Sequence, residues 1–165
     1  MLMAKGDILF RQGEEGPLFR LENGLLKIVR VHEDGSQVLL NLIIPGEVIP
    51  HHSLTSPNEY NGTAIALLPC EITRIEPQQW YRSLEEDPYR YKEVALMLET
   101  KLRMMQQRIN QMSTLTPEGK IKKLQEWFAN YFPDIQIEKV LTQEEIGQFV
   151  GLRRETVNRA LKKIL

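Results

Sequence analysis

The chain has 165 residues, 42% of them apolar, and a formal net charge of −1, which is typical of a folded globular protein with one medium domain or two small ones. No apolar run reaches the roughly 20 residues that cross a bilayer, and the N-terminus lacks the pattern of a signal peptide. We therefore predict a cytoplasmic protein with no membrane partner. The one cysteine, Cys70, excludes an internal disulfide framework and any metal site that needs several thiolates.

The first part of the sequence, residues 1–87, predicts an antiparallel β-roll. Asn23-Gly24 lies between the apolar runs LFRL and LLKIVRV, and Asp34-Gly35 lies between LLKIVRV and VLLNLII. These dipeptides predict consecutive β-hairpins. Further turn signals at Pro45-Gly46 and Asn61-Gly62 favour a roll or barrel of many short strands.

One long helix is predicted over residues 88–112, because Tyr89 to Met112 contains neither Gly nor Pro. Apolar side chains recur there at alternating steps of four and three, the pattern of a two-stranded coiled coil. The alternative is that this stripe packs on the β-roll of the same chain, and neighbouring apolar residues such as Val94 widen the face. The length of about three heptads favours a second copy. We predict a homodimer whose seam consists of Leu98, Leu102, Met105, Ile109 and Met112.

The last part, residues 113–165, starts with another helix. Thr116 and Pro117 are suited to be its N-cap and first helical residue. Aromatic side chains follow at helical spacing, among them Phe128 and Tyr131. This spacing predicts that they point inward and belong to the core, rather than stacking on bases.

Residues 141–165 have the spacing of a helix-turn-helix. Thr142 and Glu145 form a capping-box pair at the start of the first helix. Gly151 supplies the turn, and Gly147, having no side chain, lets the two helices cross closely. The apolar residues of both helices recur at helical spacing, which predicts one buried face.

The second helix of this motif is strongly basic. Residues 151–165 carry five Lys or Arg and one acidic residue, whereas residues 1–87 carry 7 basic and 13 acidic residues. Because neutralising phosphates releases counterions and supplies most non-specific affinity for a duplex, we predict that this helix binds double-stranded DNA and that the β-roll does not. The side chains left toward solvent are of types that contact bases and phosphates: Arg153, Arg154, Glu155, Thr156, Asn158 and Arg159.

The order of parts, a β-roll, a long helix and a C-terminal helix-turn-helix, resembles the Crp/Fnr family of bacterial transcription regulators. The likeness is carried by the string RETVNR at residues 154–159, and by GDILFRQGEEGPLFRLENGLLKIVRV and PGEVI in the first part. It implies an α+β fold with a cupin-like, cyclic-nucleotide-binding-like jelly roll, a long dimerisation helix and a winged helix-turn-helix. It also implies RNA polymerase as a partner.

By the same resemblance, Arg154, Glu155 and Arg159 read bases in the major groove of a palindrome whose half-sites are similar to TGTGA. The chemistry agrees, because Arg suits the O6 and N7 acceptors of guanine and Glu accepts from the cytosine amino group. The residues implied to hold phosphates are Thr142, Arg153, Thr156 and Asn158.

The cyclic-nucleotide binders of the family carry a Gly-Glu pair for the ribose and an Arg-Ser pair for the phosphate. This sequence has Pro50-His51 and Asn61-Gly62 in their places. Without the Arg, a cyclic phosphate lacks a bidentate partner, so we predict that cyclic AMP is not the effector.

Other effectors, or no effector at all, stay open. The single cysteine argues against an iron–sulfur cluster. Haem on His51-His52 is an alternative, since imidazole is a competent axial ligand, but two loop histidines without a ligand are the favoured interpretation. For an unidentified small-molecule effector, the resemblance implies a pocket lined by Glu47, Val48, His51, Asn61, Gly62 and Thr63.

Family members generally have a short helical segment before the first strand and a β-hairpin wing after the recognition helix. This sequence begins almost on the strand and stops at Leu165, so we expect the wing to be missing, either because the chain is trimmed or because the protein has none. No Gly-rich phosphate loop, triad order or metal-ligand spacing points to an enzyme. The alternative function is a ligand-binding or protein-interaction module whose helix-turn-helix no longer reads DNA.

Overall fold

The computed structural model describes residues 1–164, with strands first and helices afterwards. Leu165, the last residue of the predicted DNA-binding segment, and the side chain of Thr114 lie outside the described part. The strands are β1 (Leu2–Met3), β2 (Ile8–Phe10), β3 (Leu18–Asn23), β4 (Leu26–Val31), β5 (Gln37–Ile43), β6 (Val48–Ile49), β7 (Thr63–Ala66) and β8 (Cys70–Ile75). The helices are α1 (Pro77–Glu86), α2 (Tyr89–Thr114), α3 (Pro117–Ala129), α4 (Gln143–Val150) and α5 (Arg154–Ile164). This arrangement confirms the predicted α+β fold.

The strands within residues 1–164 form two antiparallel sheets, with the orders β1-β8-β3-β6 and β2-β7-β4-β5. Side chains from both sheets meet in one hydrophobic core, which includes Phe10, Phe19, Leu21, Leu26 and Ile72. Burying alternate residues of two sheets against each other is how such short strands gain stability. The predicted β-roll is confirmed.

Only one of the two predicted hairpins forms. β4 and β5 pair across Asp34-Gly35, with Val31 opposite Gln37, as predicted. The hairpin predicted at Asn23-Gly24 is wrong, because β3 and β4 belong to different sheets.

The chain changes sheets directly after Asn23. Gly24 has a φ of +100°, and a Cβ added there would lie 2.7 Å from the Cys70 sulfur. Leu25 is fully buried, and its carbonyl oxygen accepts from the Leu67 N–H at 2.9 Å. The turn signal is therefore correct, but the backbone groups after it bind the β7–β8 connection instead of closing a hairpin.

A second core cluster joins α1 and the start of α2 to the β-roll. It contains Leu18 and Val48 from the strands, Trp80 from α1 and Val94 from α2. The apolar face of α2 is therefore divided, since Val94 packs on the roll of its own chain while Leu102 stays 55% exposed.

The chain divides into two compact units, and the division falls inside α2. The first unit is Met1–Leu102 and the second begins at Arg103. Within the second unit, α3, α4 and α5 pack on one another. None of the helices in residues 1–164 combines the length and apolar content that a membrane span requires.

The start of α3 and most of its core face agree with the prediction. The Thr116 hydroxyl oxygen accepts from the Gly119 N–H at 3.1 Å, and Phe128 is buried. The expected inward position of Tyr131 is wrong. Its side chain is 43% exposed, because α3 ends at Ala129 and Tyr131 no longer continues the buried helical face.

Candidate nucleic-acid interface

The start of α4 is fixed by two reciprocal hydrogen bonds. The Thr142 hydroxyl oxygen accepts from the Glu145 N–H at 3.1 Å, and the Glu145 carboxylate accepts from the Thr142 N–H at 3.0 Å. Two N–H groups without a partner in the first turn are thus satisfied. This is the capping box that the sequence predicts.

The turn between α4 and α5 depends on two glycines, as predicted. Gly151 adopts the left-handed conformation with a φ of +75°, which costs glycine little because it has no Cβ. The N–H of Leu152 donates to the Gly147 carbonyl oxygen at 2.8 Å. A Cβ added at Gly147 would overlap the Leu152 carbonyl oxygen and touch Val157, so only glycine permits this close crossing.

One face of the helix pair is buried, and the opposite face of α5 carries the predicted contact residues. The buried side chains include Ile146 and Val150 from α4 and Val157 and Leu161 from α5. Of the seven predicted DNA-contact side chains, the structure leaves five exposed to solvent and half-buries the other two. The exposed ones are Thr142, Arg153, Arg154, Glu155 and Arg159, and the half-buried ones are Thr156 and Asn158.

The three predicted base-reading side chains have no polar partner among the residues that the structure describes. Within residues 1–164, no hydrogen bond or salt bridge engages the side chains of Arg154, Glu155 or Arg159. Arg154 and Glu155 lie in the first turn of α5, and Arg159 lies further along the same helix. An exposed, uncommitted Arg-Glu-Arg set on one helix has the donors and acceptors needed to read base edges.

The structure adds a residue that the sequence reasoning missed. The Asn158 side-chain amide donates to the Gln143 side-chain oxygen at 3.1 Å, so this predicted phosphate ligand also connects α5 to the first turn of α4. Gln143 directly follows Thr142, which is itself a predicted phosphate ligand. A polar side chain at that position was the sequence signal that Gln143 belongs to the same surface. This hydrogen bond restrains the side-chain orientation of Asn158.

Four of the six predicted effector residues in the β-roll take part in separate contacts. Val48 is buried in the core with α1. Asn61 accepts from the Arg30 guanidinium, and the Thr63 hydroxyl oxygen accepts from the Gln12 N–H at 3.1 Å. A Cβ added at Gly62 would lie 2.8 Å from the Val29 carbonyl oxygen.

Glu47, another predicted effector residue, is the centre of a buried polar cluster. Its carboxylate lies 2.7 Å from the Lys101 Nζ and 3.2 Å from the His51 Nε2, and it accepts from the Ile44 N–H at 2.8 Å. Burial raises the pKa of Glu47, but the hydrogen bonds of His51, Lys101 and Ile44 and the Lys101 charge lower it more, so the pKa lies below the ordinary glutamate value. The carboxylate is therefore ionised at neutral pH and is held by Lys101, His51 and the Ile44 N–H.

Lys101 was not predicted as part of this region. Its side chain is 6% exposed, and its Nζ also donates to the Leu42 carbonyl oxygen at 3.1 Å. Lys101 lies seven residues after the buried Val94, which places both on one face of α2. That spacing was the signal that Lys101 turns toward the β-roll.

The two adjacent histidines differ in their surroundings. His51 contacts Glu47, whereas the His52 Nε2 lies 2.9 Å from the Glu59 carbonyl oxygen. Among residues 1–164, no group of three or more His, Cys, Asp or Glu side chains has the arrangement of a metal site.

A cavity of about 360 Å³ has none of the six predicted effector residues in its lining. Arg74 in its wall is bound to Glu76 at 2.7 Å, and the Tyr81 hydroxyl donates to the Ser53 carbonyl oxygen at 2.6 Å. The lining residues are Glu15, Gly16, Pro17, Ser53, Pro57, Asn58, Arg74, Glu76, Pro77 and Tyr81.

Two family models match the chain in the order in which its parts occur. The cyclic nucleotide-binding domain matches residues 2–87, and the Crp-like helix-turn-helix domain matches residues 121–164. The chain belongs to the Crp/Fnr family of transcription regulators. The predicted family is thereby confirmed, together with its DNA-binding helix-turn-helix.

Curated relatives extend the Crp/Fnr likeness over most of the chain. The cAMP-activated global transcriptional regulator CRP of Pasteurella multocida is 28% identical over 166 residues, which cover 94% of this chain and 78% of the relative. The CRP-like cAMP-activated global transcriptional regulator of Mycobacterium tuberculosis is 26% identical over 163 residues, which cover 95% and 73%.

Solved structures have the same fold. A CRP-family transcriptional regulator from Thermus thermophilus superposes with a TM-score of 0.80 at 23% identity, over 99% of this chain and 83% of the other. FixK2 from Bradyrhizobium japonicum gives a TM-score of 0.76 at 15% identity, over 99% and 82%. These matches confirm the Crp/Fnr architecture of a β-roll followed by helices.

Proposed function

We propose that this Crp/Fnr regulator binds a palindromic DNA site as a homodimer and that cyclic AMP does not control it. The observation that carries the proposal is the exposed set Arg154, Glu155 and Arg159 on α5, whose side chains make no hydrogen bond or salt bridge within residues 1–164. The buried opposite face, formed by Val157 and Leu161, leaves this set as the surface that enters the major groove.

In this proposal, Arg154, Glu155 and Arg159 read bases, and a second set holds phosphates. Two Arg side chains flanking a Glu discriminate guanine and cytosine positions through their edges. Phosphate contacts fix the register of the helix on the duplex and carry no sequence information. The second set consists of Thr142, Arg153, Thr156 and Asn158.

The dimer is supported by the exposure of the predicted seam on α2. Leu98, Leu102, Met105 and Ile109 are 36%, 55%, 38% and 60% exposed, and a second copy of α2 would cover them at coiled-coil spacing. Met112, the last seam residue, is half-buried. Two identical helix-turn-helix units require a DNA site with two-fold symmetry. The proposed site is a palindrome with half-sites similar to TGTGA.

Independence from cyclic AMP is supported by the Asn61-Gly62 pair and by the charge of Glu47. The relatives are named as cAMP-activated, but this chain has Asn61-Gly62 where a phosphate-binding Arg-Ser pair is expected, so the charge of the nucleotide has no bidentate partner. Glu47 adds a negative charge, which is already bound by Lys101 and His51. The proposed effector is an unidentified small molecule other than cyclic AMP, and a regulator without a ligand is the alternative. The proposed protein partner is RNA polymerase.

Haem is not favoured as that effector. Of the two histidines that could serve as its axial ligand, His51 binds Glu47 and His52 contacts the Glu59 carbonyl oxygen. Ligating haem would break one of these contacts.

Selection from a pool of random duplexes tests the proposal. The full chain should enrich palindromes without cyclic AMP, and Arg154→Ala should lose the preference at one position of each half-site. Enrichment of sequences without two-fold symmetry would contradict the dimer. Failure to retain any duplex, even at low salt, would favour the protein-interaction module.

A further inference from the structure

The last turns of α2 contact α4, the first helix of the helix-turn-helix. The Arg108 guanidinium carbon lies 4.5 Å from the centre of the Phe149 ring. Phe149 lies in the last turn of α4 and is 9% exposed. Its ring centre lies 6.2 Å from the ring centre of Trp127 in α3. A cation over an aromatic face is attracted by the ring quadrupole, and more strongly when both are desolvated.

A second contact lies one turn further along α2. A Cβ added at Gly151 would lie 2.7 Å from the Met112 Cε and 3.5 Å from its Cγ, so the Met112 side chain lies against the turn between α4 and α5. Arg108 and Met112 are four residues apart and share one face of α2. This face contacts Phe149 and Gly151, which are close to the start of the recognition helix.

The same turns of α2 carry part of the proposed dimer seam. Ile109, which is 60% exposed, directly follows Arg108. These turns of α2 thus carry part of the surface proposed for the second copy, together with the side chains that contact the helix-turn-helix of the same copy.

We propose that Arg108 and Met112 are positioning residues that set the half-site spacing accepted by the dimer. This inference rests on the proposed function, because it presupposes two readers on one duplex. Arg108 acts through Phe149 and contacts no base. Its loss should therefore relax the spacing preference while leaving the base preference of Arg154 unchanged.

The test compares palindromes whose half-sites are separated by about one helical turn with palindromes lengthened or shortened by two base pairs. The wild-type chain should discriminate between them. Arg108→Ala should reduce this discrimination by about fivefold to tenfold, Arg108→Lys should retain part of it, and Phe149→Leu should mimic Arg108→Ala because it keeps the apolar volume but removes the ring. Gln107→Ala is the matched control, since Gln107 is exposed on the same helix turn.

Each outcome decides the inference. Relaxed spacing with unchanged base preference, in variants that sediment as dimers and unfold at the wild-type temperature, supports it. An unchanged spacing ratio in both Arg108→Ala and Phe149→Leu overturns it while the proposed function stands. If the wild-type chain binds no duplex, the proposed function and this inference are both contradicted. Limited proteolysis at residues 113–117 gives a readout without DNA, and cleavage should be faster in Arg108→Ala than in Gln107→Ala.

Discussion

Lys101 of α2 and Glu47 of the β5–β6 turn form a buried ion pair, with 2.7 Å between the Lys101 Nζ and a carboxylate oxygen. The Lys101 and Glu47 side chains are 6% and 14% exposed. A charge taken out of water is costly unless it is paired and hydrogen-bonded, and both conditions are met, since Lys101 also binds the Leu42 carbonyl oxygen. The pair therefore fastens the first half of the long helix to the β-roll.

Replacing Lys101 by Met should strongly destabilise the first unit. Among the described residues it leaves His51 as the one side-chain partner of the buried Glu47 carboxylate, and breaking a buried pair in this way costs about 3–5 kcal/mol. Urea unfolding followed through tryptophan fluorescence measures the loss, with Trp127 replaced by Phe in every chain so that Trp80 alone reports on the first unit. Lys92→Met, at an exposed position of the same helix, should change the free energy of unfolding little, and Lys101→Met with Glu47→Gln should recover part of it. Wild-type stability in Lys101→Met would show that the pair contributes nothing.

The stabilisation by Glu47 should depend on pH in the acid range. Because the folded-state pKa of Glu47 is lowered from 4.5, its contribution is fully present above the unfolded-state pKa and is lost as the pH falls through the folded-state pKa. The difference in unfolding free energy between the wild-type chain and Glu47→Gln should shrink as the pH falls from the unfolded-state pKa to the folded-state pKa of Glu47. Glu33→Gln, at an exposed loop position, provides the control. A difference that stays constant down to the acid limit would contradict the lowered pKa.

Arg154 and Arg153 should respond differently to truncation. Arg154→Ala should weaken binding to a cognate half-site by about 1–3 kcal/mol and relax the preference at one base position. Arg153→Ala should weaken all duplexes alike and lower the slope of affinity against salt. Titrations of both variants on cognate and scrambled duplexes separate the two effects. If Arg154→Ala retains wild-type preference, the assigned register of the recognition helix is incorrect.

A charge in the seam should prevent association of two α2 helices. Leu102→Glu and Ile109→Glu each place a carboxylate where the proposed dimer buries an apolar side chain, which is unfavourable without a partner for the charge. Sedimentation velocity should give monomers for both variants and dimers for the wild-type chain. Gln107→Glu, which adds the same charge away from the seam, should remain dimeric. Dimers in both seam variants would rule out the coiled-coil interface.

The sequence was most informative where a feature depends on residues a few positions apart. The Thr142–Glu145 capping box, the Gly151 turn and the Thr116 cap each involve groups within one helical turn, so their spacing alone identifies them. The buried face of α5 follows from periodicity in the same way.

Features that depend on distant residues could not be predicted. Asn23-Gly24 is a correct turn signal, but whether the following strand pairs or changes sheets depends on the segment around Cys70. The partners Glu47 and Lys101 are brought together by the packing of α2 on the roll. Arg108 gave no sequence signal, because a cation beside the seam is equally suited to solvent.

The most direct test of the central claim is fluorescence anisotropy with a labelled duplex carrying a TGTGA palindrome, compared with a scrambled duplex over a salt series, with and without cyclic AMP. We predict tighter binding to the palindrome, unchanged by cyclic AMP, and weaker binding to both duplexes as salt rises. A preference that develops only with cyclic AMP would contradict independence from the nucleotide. No binding to either duplex at low salt would contradict the proposed DNA-reading function itself.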